Sequence, residues 1–286
     1  MRLDLQPGGG HLRLDRTSAL DLAAFVVGGV DLSPGSAIPS DGDPRIDHAL
    51  QGFFFTCGPE HIRHPEPAGD GQAHYPLHGS MAGTAVPPSA CRAEPGAVEA
   101  RFEVPLADGG TAEIERRWSV GADGWVALSD RVTNVGPAPF SPMCMYHINL
   151  AGRLLGEDTV VAGLMLPGGM LPWRFGAGES AHVCLPAAGS SSAGEARILL
   201  GPIPGLKRRM LEVRYPTDTL PFFQMWRCQR DGADVLSLEP VSHRIAKRPA
   251  LEAAGELPLL QPGGSIAYRL ALRIIDEAPH GGTAAG

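Results

Sequence analysis

The 286-residue sequence predicts an all-β fold of the sandwich or barrel type. Three observations predict it. Apolar and polar residues alternate with period 2 in several segments, the mark of strands with one face in a core and one in water. Glycine (37) and proline (27) together supply 64 of the 286 residues, a load that breaks long helices and furnishes many turns. No apolar stripe of helical period is sustained for three turns anywhere in the chain.

In chain order, Ala23 to Val30 is an apolar run of strand length, Ser33 to Pro44 reads as a loop, and Gln51 to Thr56 is a second short strand. Val98, Ala100, Phe102 and Val104 then alternate with Glu99, Arg101 and Glu103. After the turn residues Asp108-Gly109-Gly110, Ala112, Ile114, Trp118 and Val120 alternate with Glu113, Glu115, Arg117 and Ser119, so the two segments form a hairpin. Arg116 is the one exception on the apolar face. The turn Gly121-Ala122-Asp123-Gly124 leads to a third strand, Trp125 to Thr133, and completes a meander. Shorter strands are expected at Ile198 to Gly201, Leu211 to Tyr215, Phe222 to Trp226 and Val235 to Glu239, with Ala187 to Gly194 as a loop. Beyond the turn Gln261-Pro262-Gly263-Gly264, Ile266, Tyr268, Leu270, Leu272 and Ile274 alternate with Ala267, Arg269, Ala271 and Arg273. No internal repeat or domain-scale linker interrupts this series, so residues 1–286 read as a single domain with a frayed tail from about residue 277.

The formal net charge of −7 and the pI near 5.8 are opposite in sign to what a phosphate backbone recruits, which argues against nucleic acid as a partner. No apolar run approaches the roughly 18 residues of a membrane span. The best run, Leu22 to Val30, follows Asp15 and Asp21 where a secretory signal would carry basic residues, so a cytoplasmic location is expected. The five cysteines (Cys57, Cys91, Cys144, Cys184, Cys228) are spread singly, with no CxxC, and read as small buried hydrophobes. Nothing at residue level fixes an oligomeric state.

Three short motifs join titratable residues to strand or turn chemistry: Tyr75-Pro76-Leu77-His78-Gly79, Met145-Tyr146-His147-Ile148-Asn149-Leu150 and Leu236-Ser237-Leu238-Glu239-Pro240. His147 and Glu239 are expected at or just beyond the ends of apolar strands, where a sandwich presents side chains to a concave or end surface. An imidazole and a carboxylate facing one another are the minimal equipment for general acid and base work. A hydrogen-bonded or solvated imidazole and a surface carboxylate are the blander readings of the same residues. Upstream, the segment Phe53 to Gly58 is followed by Arg63 and His64, which could contact a ligand or lie solvated on a loop. Gln224, Trp226 and Arg227 set an aromatic beside amide and guanidinium donors, a combination that suits a pyranose, although Trp226 reads equally well as core.

Rival chemistries are also written in the chain. His48, His61, His64, His74 and His78 fall within a short stretch and could pair as metal ligands, but there is no H-x-H pair with a following glutamate, and the segment is loop-like; no metal is expected. Lys207-Arg208-Arg209, or Arg244 with Lys247-Arg248, could clamp an anionic or phosphorylated ligand.

The stretch Leu128 to Leu150, with Val132-Thr133-Asn134 before a turn, a proline-rich approach, and Tyr146-His147-Ile148-Asn149-Leu150, resembles the aldose 1-epimerase (galactose mutarotase-like) superfamily. Leu77-His78-Gly79, Leu238-Glu239-Pro240 and Leu259 to Ser265 before a final alternating strand resemble three further features of that superfamily, in the same order. The wording is closest to an uncharacterised bacterial branch. The resemblance implies a single-domain β-supersandwich and interconversion of sugar anomers without a cofactor, with a small-molecule sugar as partner. At the matching positions it implies Glu239 as general base and His147 as general acid. His78 would hydrogen-bond the sugar, and Asn149 is placed with it among the substrate-binding residues, alongside Arg63, Gln224 and Trp226. The chain departs from the branch at Ser80, where an arginine commonly follows His-Gly, and offers no match for a second sugar-binding carboxylate. A carbohydrate-binding protein without catalysis, or an epimerase of anionic sugars, is the alternative.

Overall fold

The computed structural model describes residues 1–5, 9–40, 42–69, 72–187, 194–230 and 232–276, and in it two large antiparallel sheets dominate. In the first, the strands Arg2–Leu5, Gly10–Asp15, Asp21–Val27, Phe54–Cys57, Met145–Ala151, Ala233–Val241, Phe222–Arg230 and Ser180–Pro186 lie side by side in that order, with Val30–Asp31 paired to Asp21–Val27. In the second the order is Met170–Pro172, Val160–Ala162, Glu195–Ile203, Arg209–Pro216, Ser265–Ile275, Val126–Asn134, Thr111–Val120, Ala97–Pro105 and Cys91–Glu94.

The hairpin and meander stand where the alternation puts them: Ile114 lies opposite both Phe102 and Val132, and Trp118 opposite both Val98 and Leu128. Their apolar faces meet the first sheet, where Phe54 packs edge-on against Trp118 with ring centroids 5.0 Å apart. The Trp118 Nε1 donates to Leu20 O at 2.8 Å, which satisfies its one polar atom in the core. Truncating such a side chain costs about 3–5 kcal/mol.

Several expected boundaries shift. The run from Ala23 to Val30 is broken because Gly28 and Gly29, both at positive φ, make a two-residue hairpin turn that sets Val27 opposite Val30. Only Phe54–Cys57 of the second segment is extended, since the short helix Asp47–Leu50 occupies its approach. Residues 188–193 of the expected loop and the tail from 277 lie outside the described residues.

Arg116 is the exception that the alternation flagged, and its environment explains it. It is buried with all five guanidinium N–H groups used: two to Asp130, one to Asp21, one to Ala19 O and one to Thr56 Oγ1. Asp130 also accepts from Tyr146 Oη at 2.8 Å, so the network ties the two sheets together through the core. Burial alone would lower the Arg116 pKa, but the Asp130 and Asp21 carboxylates outweigh it and raise it. The cysteines divide: Cys57, Cys144 and Cys228 are buried as expected, whereas Cys91 and Cys184 are only half-buried, because their strands lie at the sheet edges.

The first sheet is covered on both faces, and this positions the site. Tyr146, Ile148, Leu150, Leu236, Leu238, Phe223 and Met225 point into the core between the sheets. Their odd-numbered or alternate neighbours, Met145, Val235, Val241, Phe55, Cys57 and Cys228, point the other way, into a second apolar cluster closed by Ile38, Ile62 and Leu77 from overlying loops and by Leu50 and Leu251 from the short helices Asp47–Leu50 and Arg248–Ala253. His147 and Glu239 belong to that outer face. They sit within their strands, not at the ends, because strands buried on both faces carry near-continuous apolar runs in which a polar residue can be set anywhere on the covered side.

Candidate active site

Residues directly opposite one another in antiparallel strands share a face. Phe55 lies opposite His147, Gln224 opposite Glu239, and Cys184 opposite Gln224. Met145 opposite Val241 and Ile148 opposite Leu238 set His147 across from Glu239. One row thus runs Phe55, His147, Glu239, Gln224, Cys184 across five strands. The adjacent row on the same face is Asn149, Ser237, Trp226, His182.

Above these rows is a cavity of about 250 Å³. Its polar lining is Arg63, His64, His78, His147, His182, Gln224 and Glu239; Trp226, Met145, Leu50 and Ile62 supply apolar wall. That is near the small end of ligand pockets and matches a single sugar ring better than a chain of them.

His147 Nε2 lies 3.2 Å from Glu239 Oε1, with the two side chains 7% and 0% exposed. The approach is off the hydrogen-bonding direction, so Oε1 is buried without a hydrogen-bond partner, while Oε2 accepts from Gln224 Nε2. On its other side, His147 Nδ1 bonds Asn149 Oδ1. Asn149 is held from three directions: its Nδ2 donates to Leu50 O (3.0 Å) and Gly52 O (3.3 Å), and its Oδ1 also accepts from Ser237 Oγ at 2.8 Å. With Oδ1 fixed as acceptor, Nδ1 of His147 must carry a proton, which leaves Nε2 as the atom that gives or takes one at the cavity.

His78 reaches the cavity from the loop above. Its backbone is left-handed (φ 62°), with its N–H donating to Arg63 O and its carbonyl accepting from Gly58 N. Its ring packs edge-on against Phe55 and His147 at 5.4 and 6.1 Å, and Nδ1 is 3.3 Å from Cys57 Sγ. Burial pushes the Cys57 thiol well up. The next residue must be glycine: Gly79 has φ 84°, and a Cβ there would come within 2.1 Å of His61 O and 2.4 Å of Gly58 O. Ser80 does not enter the cavity. Its hydroxyl donates to the buried Glu60 carboxylate, whose pKa burial raises to about 7.

Of the residues expected at the site, His78, His147, Glu239, Arg63, Gln224 and Trp226 all line the cavity. Asn149 does not: it is fully buried beneath His147 and acts on the ring, not on the cavity. The basic runs also lie elsewhere, with Arg208 paired to Asp158, Arg209 to Asp276 and Arg244 to Glu256, while Arg248 stacks over Tyr75. The histidine-rich stretch is dispersed: His61 stacks on Tyr75 and bonds His64 O, and His48 lies against Thr17. Among the described residues no group of three His, Cys, Asp or Glu side chains is gathered as a metal site. His182 was not expected. It comes from the strand Ser180–Pro186, where Ala181, Val183 and Leu185 face the core and alternate with His182 and Cys184, a period-2 signal blurred because Cys184 on the other face is itself apolar. Burial pushes its pKa down, with Glu239 opposing. No described helix is long and apolar enough to cross a membrane.

The fold is that of the galactose mutarotase-like proteins. A protein of Klebsiella pneumoniae subsp. pneumoniae provisionally assigned as an aldose 1-epimerase superposes with TM-score 0.73 at 16% identity, covering 94% of this chain and 77% of that one. A galactose mutarotase related enzyme from Lactobacillus acidophilus gives 0.68 at 10% identity, over 96% and 98% of the two chains. The GalM/aldose epimerase homologue from C. elegans gives 0.63 at 13%, over 97% and 99%. No curated protein matches the sequence. A family model covers residues 8–166 and 178–274, nearly the whole of both sheets, and the chain therefore belongs to the family described as a domain of unknown function (DUF4432).

Proposed function

We propose that the protein is a carbohydrate mutarotase of the aldose 1-epimerase type, an isomerase that interconverts the anomers of a free reducing sugar by acid and base catalysed ring opening. The observation that carries this reading is the His147–Glu239 pair, 3.2 Å apart on adjacent strands and open to one sugar-sized cavity. The ring oxygen and the anomeric hydroxyl are bonded to the same carbon, so an acid and a base that serve them must lie side by side. Glycoside hydrolysis instead uses two carboxyl groups about 5–9.5 Å apart. Glu239 is the one carboxylate among the described residues lining this cavity.

The chemistry follows from the hydrogen bonds. In the competent state His147 carries protons on both nitrogens and Glu239 is ionised, a pair that is neutral overall. Glu239 takes the proton of the anomeric hydroxyl while His147 Nε2 gives its proton to the ring oxygen. The C1–O5 bond breaks, C1 becomes an aldehyde, and His147 is left neutral with Nδ1–H still bonded to Asn149 Oδ1. Rotation about C1–C2 presents the other carbonyl face, and the reverse transfers close the ring and restore both groups. His78 donates to the sugar from above, and the Trp226 indole, tethered by Nε1 to Ser180 Oγ at 3.1 Å, offers a face to the apolar side of the ring. The names of the structural neighbours and the resemblance of the motifs support the same reading.

Anomer exchange followed by NMR across neutral, acidic and phosphorylated reducing sugars tests it, with Glu239→Gln and His147→Asn beside the unmodified chain. Acceleration lost in both variants is expected. Sugar binding by the folded protein with no acceleration on any sugar would overturn it in favour of a carbohydrate-binding protein.

A further inference from the structure

Arg63 meets the cavity as a cation with no carboxylate of its own. Its Nη2 donates to His243 O at 2.9 Å, and the Cys184 side chain also bonds the guanidinium. Nη1 is sealed from solvent with no hydrogen-bond partner. The contrast with the fully buried arginines is direct: Arg116 is neutralised by two carboxylates, and Arg227 spends its donors on Phe175 O, Gly178 O and Gln229, whereas Arg63 is half-buried with Nη1 unpaired. Leaving a guanidinium edge both buried and unpaired is costly unless a ligand completes it. Glu239 does not serve: its Oε2 accepts from Gln224, its Oε1 faces the His147 ring, and the described ion pairs include none between it and Arg63.

We infer that the substrate is a sugar acid, whose ring carboxylate is bound by the Arg63 guanidinium on the cavity wall, turned so that its unpaired Nη1 is used, while its anomeric end meets His147 and Glu239. This rests on the mutarotase reading and names the substrate class of that site. One unpaired guanidinium nitrogen and a cavity of about 250 Å³ fit one planar carboxylate on one ring. A phosphate dianion would call for further cationic donors, and none of Lys207, Arg208, Arg209, Arg244, Lys247 and Arg248 lines this cavity. Burial also holds His182 toward its neutral form, so Arg63 is the fixed positive charge on the cavity wall.

The experiment compares kcat/KM for anomer exchange of glucuronate, glucose and glucose 6-phosphate, using the intact chain, Arg63→Met and Arg63→Lys. A charge-assisted bond to a sealed guanidinium predicts that glucuronate exceeds glucose by about 30-fold, and that the ratio collapses toward unity in Arg63→Met. Arg63→Lys, which keeps the charge and loses the fork, should restore part of it. Glucose or glucose 6-phosphate preferred over glucuronate, or equal losses on all three sugars in Arg63→Met, would overturn the inference while leaving the mutarotase reading intact. If no sugar is exchanged, that reading fails, and calorimetric titration with the same sugars still decides this one: glucuronate binding that weakens at least tenfold in Arg63→Met upholds the anion subsite, and binding indifferent to the carboxylate or to Arg63 sinks it.

Discussion

Replacing Glu239 by glutamine should abolish activity and raise stability at once. Glu239 is fully buried; Oε2 accepts from Gln224 Nε2, and Oε1 has no hydrogen bond, only the nearby His147 ring. Glu239→Gln keeps the shape. Its new amide oxygen can accept from Gln224, and after a small turn of the His147 ring its new NH2 can donate to Nε2 of the neutral imidazole, so the buried charge disappears without leaving an orphan. Exchanging a buried ion pair for a satisfied neutral one is worth about 1–2 kcal/mol. For 286 residues, an unfolding entropy of about 2.1 cal/mol/K per residue gives roughly 0.6 kcal/mol/K, so the melting temperature should rise by about 2–3 °C. Loss of a general base costs about 10²–10⁴-fold in rate, or roughly 3–5 kcal/mol in the barrier. Calorimetry and NMR exchange on the same preparation read both quantities. Undiminished exchange would remove Glu239 from the chemistry, and a melting point lowered by more than about 3 °C would show that the carboxylate holds the fold together.

Asn149→Leu deprives His147 Nδ1 and Ser237 Oγ of their acceptor and leaves the Leu50 and Gly52 carbonyls unbonded; exchange should fall about 10–100-fold through kcat, with roughly 3 kcal/mol lost in urea unfolding. For Glu60, the folded pKa of about 7 lies above the ordinary 4.5. Ionising it therefore favours the unfolded chain, so its contribution declines as pH rises from about 4.5 to 7 and is flat beyond, a span of about 3 kcal/mol. Glu60→Gln should accordingly melt like the parent at pH 4 and above it at pH 8, as scanning calorimetry at the two pH values would show. Arg116→Met strands the buried Asp21 and Asp130 carboxylates and should cost about 3–5 kcal/mol at pH 7, measured by denaturant midpoint, with a smaller loss at acid pH, since burial already raises the Asp21 pKa.

What was legible in the sequence follows the physics of each segment. Strands with one wet face, such as Val98 to Val104 and Ile266 to Ile274, announce themselves by alternation and were placed within a residue or two. Met145–Ala151 and Ala233–Val241 are buried throughout, so periodicity cannot say which residues face the core, and His147 and Glu239 were expected at strand ends when they sit inside. Arg116 showed as a break in a pattern, but its partners Asp21 and Thr56 come from a sheet that only tertiary structure brings near. Asn149 was read as touching sugar because a sequence cannot tell a polar side chain that faces a cavity from one that braces its neighbour. Arg63 and Gln224 were placed by residue type beside aromatic and apolar company, and both line the cavity, whereas the edge strand carrying His182 alternates small apolar residues with the equally apolar Cys184, too weak a contrast to register.

The division of the two faces has a consequence for how such a site can vary. His147, Glu239 and Gln224 are locked by register on adjacent central strands whose alternate residues build the main core, so a one-residue slip would turn the acid and base into that core and expose leucines in their place. Arg63, His64, His78 and Ile245, in contrast, hang from loops that roof the outer face. On the proposed function, the strands fix the reaction and the roof selects the sugar. Changes in the roof should then act through KM and substrate preference, while changes in the strand row act through kcat, and the two sets should combine nearly additively wherever they share no hydrogen bond.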